Sequence, residues 1–155
     1  MAFLSSMNIS GSGLTAQQLR LDVIAENVSN INTTRTENGN GPYRRKMVVL
    51  EADSGRDTFR NILANAQGGM QLATGSLSDT GGVRVNEIIE DQSPFKLQYD
   101  PSHPDANAEG YVELPNVDLV KEITDAMAAT QAYSANVTAF NTLKTVATKA
   151  LEIGK

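Results

Sequence analysis

Glu87, Glu90 and Asp91 stand close enough in the chain to be read as a carboxylate pair for general acid–base work. Nothing around them argues for the separated pKa values such a pair requires, so they read more simply as strand-end charges in solvent. His103 is the single histidine; flanked by Asp100 and Asp105, it offers at best a weak divalent-cation site. A loop with two prolines and one imidazole makes a poor closed cage, and no metal is expected there. Glu87, Asp91 and His103 together mark the one hydrolase reading considered. Gly11-x-Gly13 stands before a helical pattern as a phosphate turn would, but no strand precedes it, and neither a third spaced glycine nor a Gly-Lys-Ser/Thr follows. Tyr43, Arg44, Arg45 and Lys46 form a basic patch beside an aromatic ring, read as a solvated strand face or a protein contact in preference to a nucleic-acid site. Asn27, Asn32 and Asn136 open glycosylation sequons, two of them on predicted helices, and read as accidental.

Composition narrows the field further. The chain has 155 residues, 40 % of them hydrophobic, with a formal net charge of −5, values suited to one domain. Aromatics are scarce at 5 % and tryptophan is absent, so any core must be aliphatic and alanine-rich. There is no cysteine, which removes disulfides, thiolate metal sites and a thiol nucleophile. The acidic balance argues against binding duplex nucleic acid, which needs clustered Lys and Arg. The opening MAFLSSMNIS lacks the charged and apolar regions of a cleaved secretory signal, and no run approaches the roughly 20 apolar residues of a membrane span.

The elements that carry these residues are helical at both ends and strand-like in the middle. Leu14, Leu21 and Val28 fall seven apart, Ile24 and Ile31 take the intervening seam positions, and Gln17 breaks the stripe. Thr15 and Gln18 read as a capping box, with Leu14 and Leu19 as its staple, which sets a helix start near Thr15. The stripe continues upstream through Phe3, Leu4 and Met7, although Gly11 and Gly13 each cost a helix about 1 kcal/mol relative to alanine. Near the other end, Leu119, Ile123, Ala126, Thr130, Tyr133, Val137, Phe140, Lys144, Ala147 and Leu151 alternate steps of four and three. Asn116 is the expected N-cap after Pro115, and Lys149 and Gly154 suit the far end. Such a helix would reach roughly 55 Å, longer than a small domain can cover. Tyr43–Leu50, Val83–Glu90 and Phe95–Tyr99 read as strands of one small sheet or hairpin, Ala52–Leu77 as a surface insertion with a short helical candidate at Phe59, Ile62 and Leu63, and Asp100–Gly110 as a loop.

Several blocks carry a family resemblance. Ser12-Gly-Leu-Thr-Ala-Gln-Gln-Leu-Arg-Leu-Asp22 and the stretch Ile24–Thr33, with Asn27, Asn30, Asn32 and Thr33, resemble the shared N-terminal motif of flagellar axial proteins. Pro42-Tyr43-Arg44-Arg45, Ser93-Pro94, Tyr99-Asp100-Pro101, His103-Pro104 and the block Gly110–Asp118, with Gly110, Tyr111, Pro115 and Asn116, are similar to the proximal-rod class of bacterial flagellar basal-body rod proteins. Tyr133–Val137 and Ala150–Gly154 fit the same class, while Ala52–Leu77 is longer than the connection in its compact members.

The resemblance implies an α+β chain whose long N- and C-terminal helices pair into a coiled-coil-like axial domain, residues 1–35 with 115–155, around a small β-rich outer domain, residues 36–114 with the insertion at 52–77. It implies a non-enzymatic structural subunit of the rod, without cofactor or metal, assembling helically with copies of itself and other rod proteins to transmit torque from rotor to hook and filament. It also implies passage through the flagellar type III export apparatus to the periplasmic stretch of the rod. Leu14, Leu21, Ile24, Val28, Ile31, Leu119, Ile123, Val137, Phe140 and Leu151 are the expected packing and assembly residues. The alternative is a secreted coiled-coil module presenting its β segment and insertion to a protein partner.

Overall fold

The computed structural model describes residues 2–36, 41–53 and 81–153. The chain runs α1 (Ala2–Ser29), β1 (Lys46–Ala52), β2 (Val83–Glu90), β3 (Lys96–Tyr99), β4 (Tyr111–Leu114) and α2 (Leu119–Ile153). This is the α+β class expected, with long terminal helices enclosing a short β region. Most of the 52–77 insertion, its helical candidate and Gly154 lie outside the described residues.

α1 begins well before the expected capping box. Thr15 lies inside the helix, its hydroxyl donating to the Gly11 carbonyl one turn back (3.2 Å), so it caps nothing. Gly13 has a reason in what faces it: a Cβ built there would stand 2.9 Å from the Asn136 side-chain amide, so the two helices approach closely at that point, whereas Gly11 faces open space. The helix stops at Ser29, where Asn30 folds its amide onto the Glu26 carbonyl (2.9 Å) and Thr33 donates to Asn30 Oδ1. Ile31 therefore sits in the turn beyond the helix and does not extend its stripe.

α2 starts at Leu119 with Asp118 as its cap, accepting the Val120 N–H at 3.1 Å. Asn116, expected in that role, braces other strands instead. The helices are antiparallel: Gly13 meets Asn136 and Asn27 meets Glu122, the same spacing along both. Continuing that register sets Ala2 opposite Ala147, so the last turn of α2 runs past the start of α1.

β1 and β2 form one antiparallel ribbon, with Asn86 as an extra residue where the register shifts between Val49 and Leu50. The ribbon lies along α1. Lys46, at one end, bonds Asn27, and at the other the Val83 N–H donates to the Ser12 hydroxyl. Seven strand residues span about 23 Å, matching roughly 22 Å for the intervening helix. The first strand begins later than expected because Tyr43 and Arg45 spend their N–H groups elsewhere, on the Thr33 carbonyl and Asn116 Oδ1.

The expected single sheet is two. β3 pairs with β4, a strand the periodicity did not reveal, and not with β2. Asp91 accepts the backbone and hydroxyl hydrogens of Ser93, forming a tight turn, and Pro94 has no N–H to extend the ladder. Gly110 takes a positive φ of 83° against the Tyr99 ring and Pro101, which closes the β3–β4 loop; Tyr99 and Tyr111 then meet edge to face at 5.3 Å.

Candidate functional site

The most buried polar residues lie where α1, the segment before β1 and the first turns of α2 converge. Asn27 has all its hydrogen-bonding capacity engaged. Its Oδ1 accepts from the Tyr43 hydroxyl and the Lys46 N–H (both 2.9 Å), and its Nδ2 donates to the Lys46 carbonyl (2.9 Å) and Glu122 Oε2 (3.1 Å). Turning the amide over would set its hydrogens against the Lys46 N–H. Glu122, fully buried, accepts Arg45 Nε at 2.5 Å through its other oxygen. Arg45 also reaches Asp125 (3.3 Å) and comes within 3.8 Å of Asp91. Its own N–H goes to Asn116, whose amide bonds the carbonyls of Asp91 and Ser93.

This clasp ties α1, α2, β1 and the end of β2 through charged hydrogen bonds out of water, where they are strongest and hardest to lose. Burial, then the nearby Glu26 and Glu122 carboxylates, push the Tyr43 phenol well above its ordinary value, so it stays protonated and donates to Asn27. The basic patch of the sequence is therefore not a solvated face. Arg45 points inward, Arg44 stacks over Phe95 (4.4 Å to the ring centre), and Lys46 pairs with Glu26.

The remaining chemistry-bearing residues are committed locally. Ser93 holds the Asp91 carboxyl below its ordinary value, and Ser102 does the same for Asp100. His103 Nδ1 accepts the Asp105 N–H, while the Asp105 carboxylate pairs with Thr34 and Arg35. Glu87 lies exposed on β2. An Asp91 carboxyl lowered by two hydrogen bonds is a poor general acid.

The helix seam mixes small residues with larger ones that are mostly half-buried. Ala16, Val23 and Ile24 are buried on α1, and Ala129 with Glu122 on α2; Leu14, Leu21 and Val28 are half-buried, as are Tyr133, Val137 and Phe140. In the first half of α2 the inward face is displaced by one residue from the expected stripe: Glu122 and Ala129 face in, while Ile123 and Thr130 face out. Close approach of two helices selects for alanine over leucine, which throws the large side chains outward. Leu119, Ile123, Val120 (74 % exposed) and Met127 (69 %) form one apolar stripe without cover among the described residues, and Leu151 (76 %) and Ile153 (87 %) end the overhang. Pro42, Tyr43 and Pro115 are buried in support of the clasp, and Asn32 is exposed. Reading by size and spacing missed Glu122 and Arg45. No local signal marked them, since Lys121 and Asp125 put charges on either side of Glu122 and Arg44 and Lys46 do so for Arg45.

No described helix is long and apolar enough to cross a membrane. Residues 7–35 match the family described as flagella basal body rod protein, and residues 108–153 match the C-terminal family of flagellar basal body rod FlgEFG proteins. Over the full length of both chains, this sequence is 49 % identical to the flagellar basal-body rod protein FlgC of Bacillus subtilis and 41 % identical to that of Escherichia coli O6:H1. It is also 41 % identical to the FlgC of Borreliella burgdorferi, covering 99 % of this chain and 98 % of the other. These relatives lend no support to a secreted binding module. End-to-end identity at this level, carried by a fold with paired terminal helices and an uncovered apolar face, means that the chain belongs to the FlgC family of flagellar basal-body rod proteins, structural subunits and not enzymes.

Proposed function

We propose that the chain is a proximal-rod subunit that assembles helically with copies of itself and with other rod proteins, forming part of the shaft that carries torque from rotor to hook and filament. The observation that supports this reading is the stripe Leu119, Val120, Ile123 and Met127 on a helix longer than its partner. A face of this kind, uncovered in one chain, is available to a neighbouring subunit, and a heterologous contact there would propagate into a filament. Residues 1–35 and 115–155 serve as the axial part and 36–114 as the outer part, with Leu14, Leu21, Ile24, Val28, Val137 and Phe140 packing within the subunit and Leu119, Ile123 and Leu151 between subunits. No cofactor takes part. Delivery through the flagellar type III export apparatus to the periplasmic stretch of the rod belongs to the same reading.

The test is to tag the chain in its native cell, purify detergent-resistant hook–basal bodies and quantify it by mass spectrometry. Co-purification at a fixed ratio to other rod proteins is expected. Its absence from intact basal bodies would overturn the assignment.

A further inference from the structure

The α1–α2 seam specifies its own register poorly. Gly13, Ala16, Ala126 and Ala129 are small, and the larger side chains of the seam, Leu14, Leu21, Tyr133, Val137 and Phe140, are only half-buried, so apolar packing alone separates one register from the next weakly. The threonines of α2 add nothing across the seam: Thr124, Thr130, Thr138, Thr142, Thr145 and Thr148 each donate to a carbonyl of their own helix one turn back. The Arg20–Asp125 pair bridges the helices, yet both side chains are about a third exposed (36 % and 32 %), so it discriminates weakly. The clasp is different in kind. Asn27 is fastened to the β1 backbone through both the N–H and the carbonyl of Lys46, Arg45 is fastened through Asn116, and both then hold the two oxygens of one buried carboxylate.

We propose that Asn27, Arg45 and Glu122 act as a register key, the polar contact that selects one antiparallel alignment of α1 and α2 where the half-buried apolar seam discriminates only weakly. Sliding α2 by one turn opposes Glu122 to Val23 or to the turn at Ile31, parting a buried carboxylate from its donors and leaving the buried guanidinium only the more distant Asp91 at 3.8 Å. An unpaired buried charge discriminates between registers far more sharply than a methyl group does. The key also sets the height of the Leu119–Met127 stripe against the β1–β2 ribbon, since a one-turn slip moves it by about 5.4 Å. That second consequence rests on the assembly reading above; the alignment itself does not.

The cysteine-free chain allows a direct test on the isolated, purified protein. Gly13→Cys is paired with Asn136→Cys to report the native alignment, and with Ala132→Cys or Phe140→Cys to report slips of one turn either way, the latter two carrying Asn136→Ala to make room. With the clasp intact, oxidation should favour the native pair by about tenfold or more, because disulfide geometry rejects misplaced Cβ atoms. In the Arg45→Met, Glu122→Leu background, which leaves neither charge unpaired, the preference should fall to about threefold or less while helical circular dichroism is retained. An unchanged preference in that background would overturn the proposal. So would loss of helicity, which would make the clasp a source of stability and not of alignment. Neither outcome bears on whether the chain is found in basal bodies, so the two readings fail separately.

Discussion

Glu122 carries a formal charge with no exposed surface, and its worth depends on the partners it keeps. Replacing it with alanine takes from Arg45 its closest and only fully buried carboxylate and from the Asn27 amide one of its two acceptors, a loss of about 3 kcal/mol in unfolding free energy. Asp125 touches the same guanidinium at 3.3 Å but is about a third exposed (32 %), so Asp125→Ala should cost only about 0.5–1 kcal/mol. Urea unfolding of the two variants checks the order, and equal losses would mean the clasp is wetter than its geometry. Acid sensitivity is argued at the same scale. Ser93 lowers the Asp91 carboxyl in the folded state, so its contribution is complete above the unfolded value of about 3.9 and fades as pH falls through the folded one. Ser93→Ala should move the Asp91 titration upward, toward the ordinary carboxylate value, as followed by carboxyl NMR, and shrink both the stability that Asp91 contributes above that value and the part of it lost in acid. These residues were the least legible from the sequence. A Glu near a helix start and an Arg in a basic run look solvated when read locally, and only the meeting of three distant segments makes them interior.

The helices were legible as helices, and for a physical reason: a repeat of three and four over many residues has no other economical reading. Their starts were not. Thr15 and Gln18 have the spacing of a capping box, but packing against α2 extends the helix through them, and Asp118 took the cap expected of Asn116. β4 escaped because four residues between a loop and a proline carry too little alternation to register. The glycines of α1 separate local propensity from packing. A Cβ at Gly11 meets nothing within 4 Å, so Gly11→Ala should stabilise the chain by about 0.5–1 kcal/mol. At Gly13 the Cβ of a larger residue strikes the Asn136 amide, and Gly13→Val should push the helices apart and cost about 1–3 kcal/mol. Thermal unfolding resolves the opposite signs, and a stabilising Gly13→Val would mean the close approach is absent in solution.

The described residues include few buried side chains and leave large apolar ones along the outside of α2. In a monomer at work alone this would be a liability; in a subunit it is a surface awaiting neighbours. The two faces of α2 can be told apart by a matched pair of charges. Val137 is half-buried against α1, so Val137→Asp places a carboxylate in the seam and should lower the stability of the isolated chain by about 2–3 kcal/mol as well as stopping swimming. Met127 faces outward, so Met127→Asp should change the isolated chain's stability by no more than about 0.5 kcal/mol. If neighbouring subunits cover that stripe, the same variant must still abolish swimming, because assembly would trap its charge between apolar helices without a partner. Swimming in soft agar, set beside unfolding curves of both purified variants, makes the comparison. A Met127→Asp strain that swims normally would move the intersubunit contact off this face of α2, whereas a non-swimming strain with an unchanged unfolding curve would locate the defect in assembly itself.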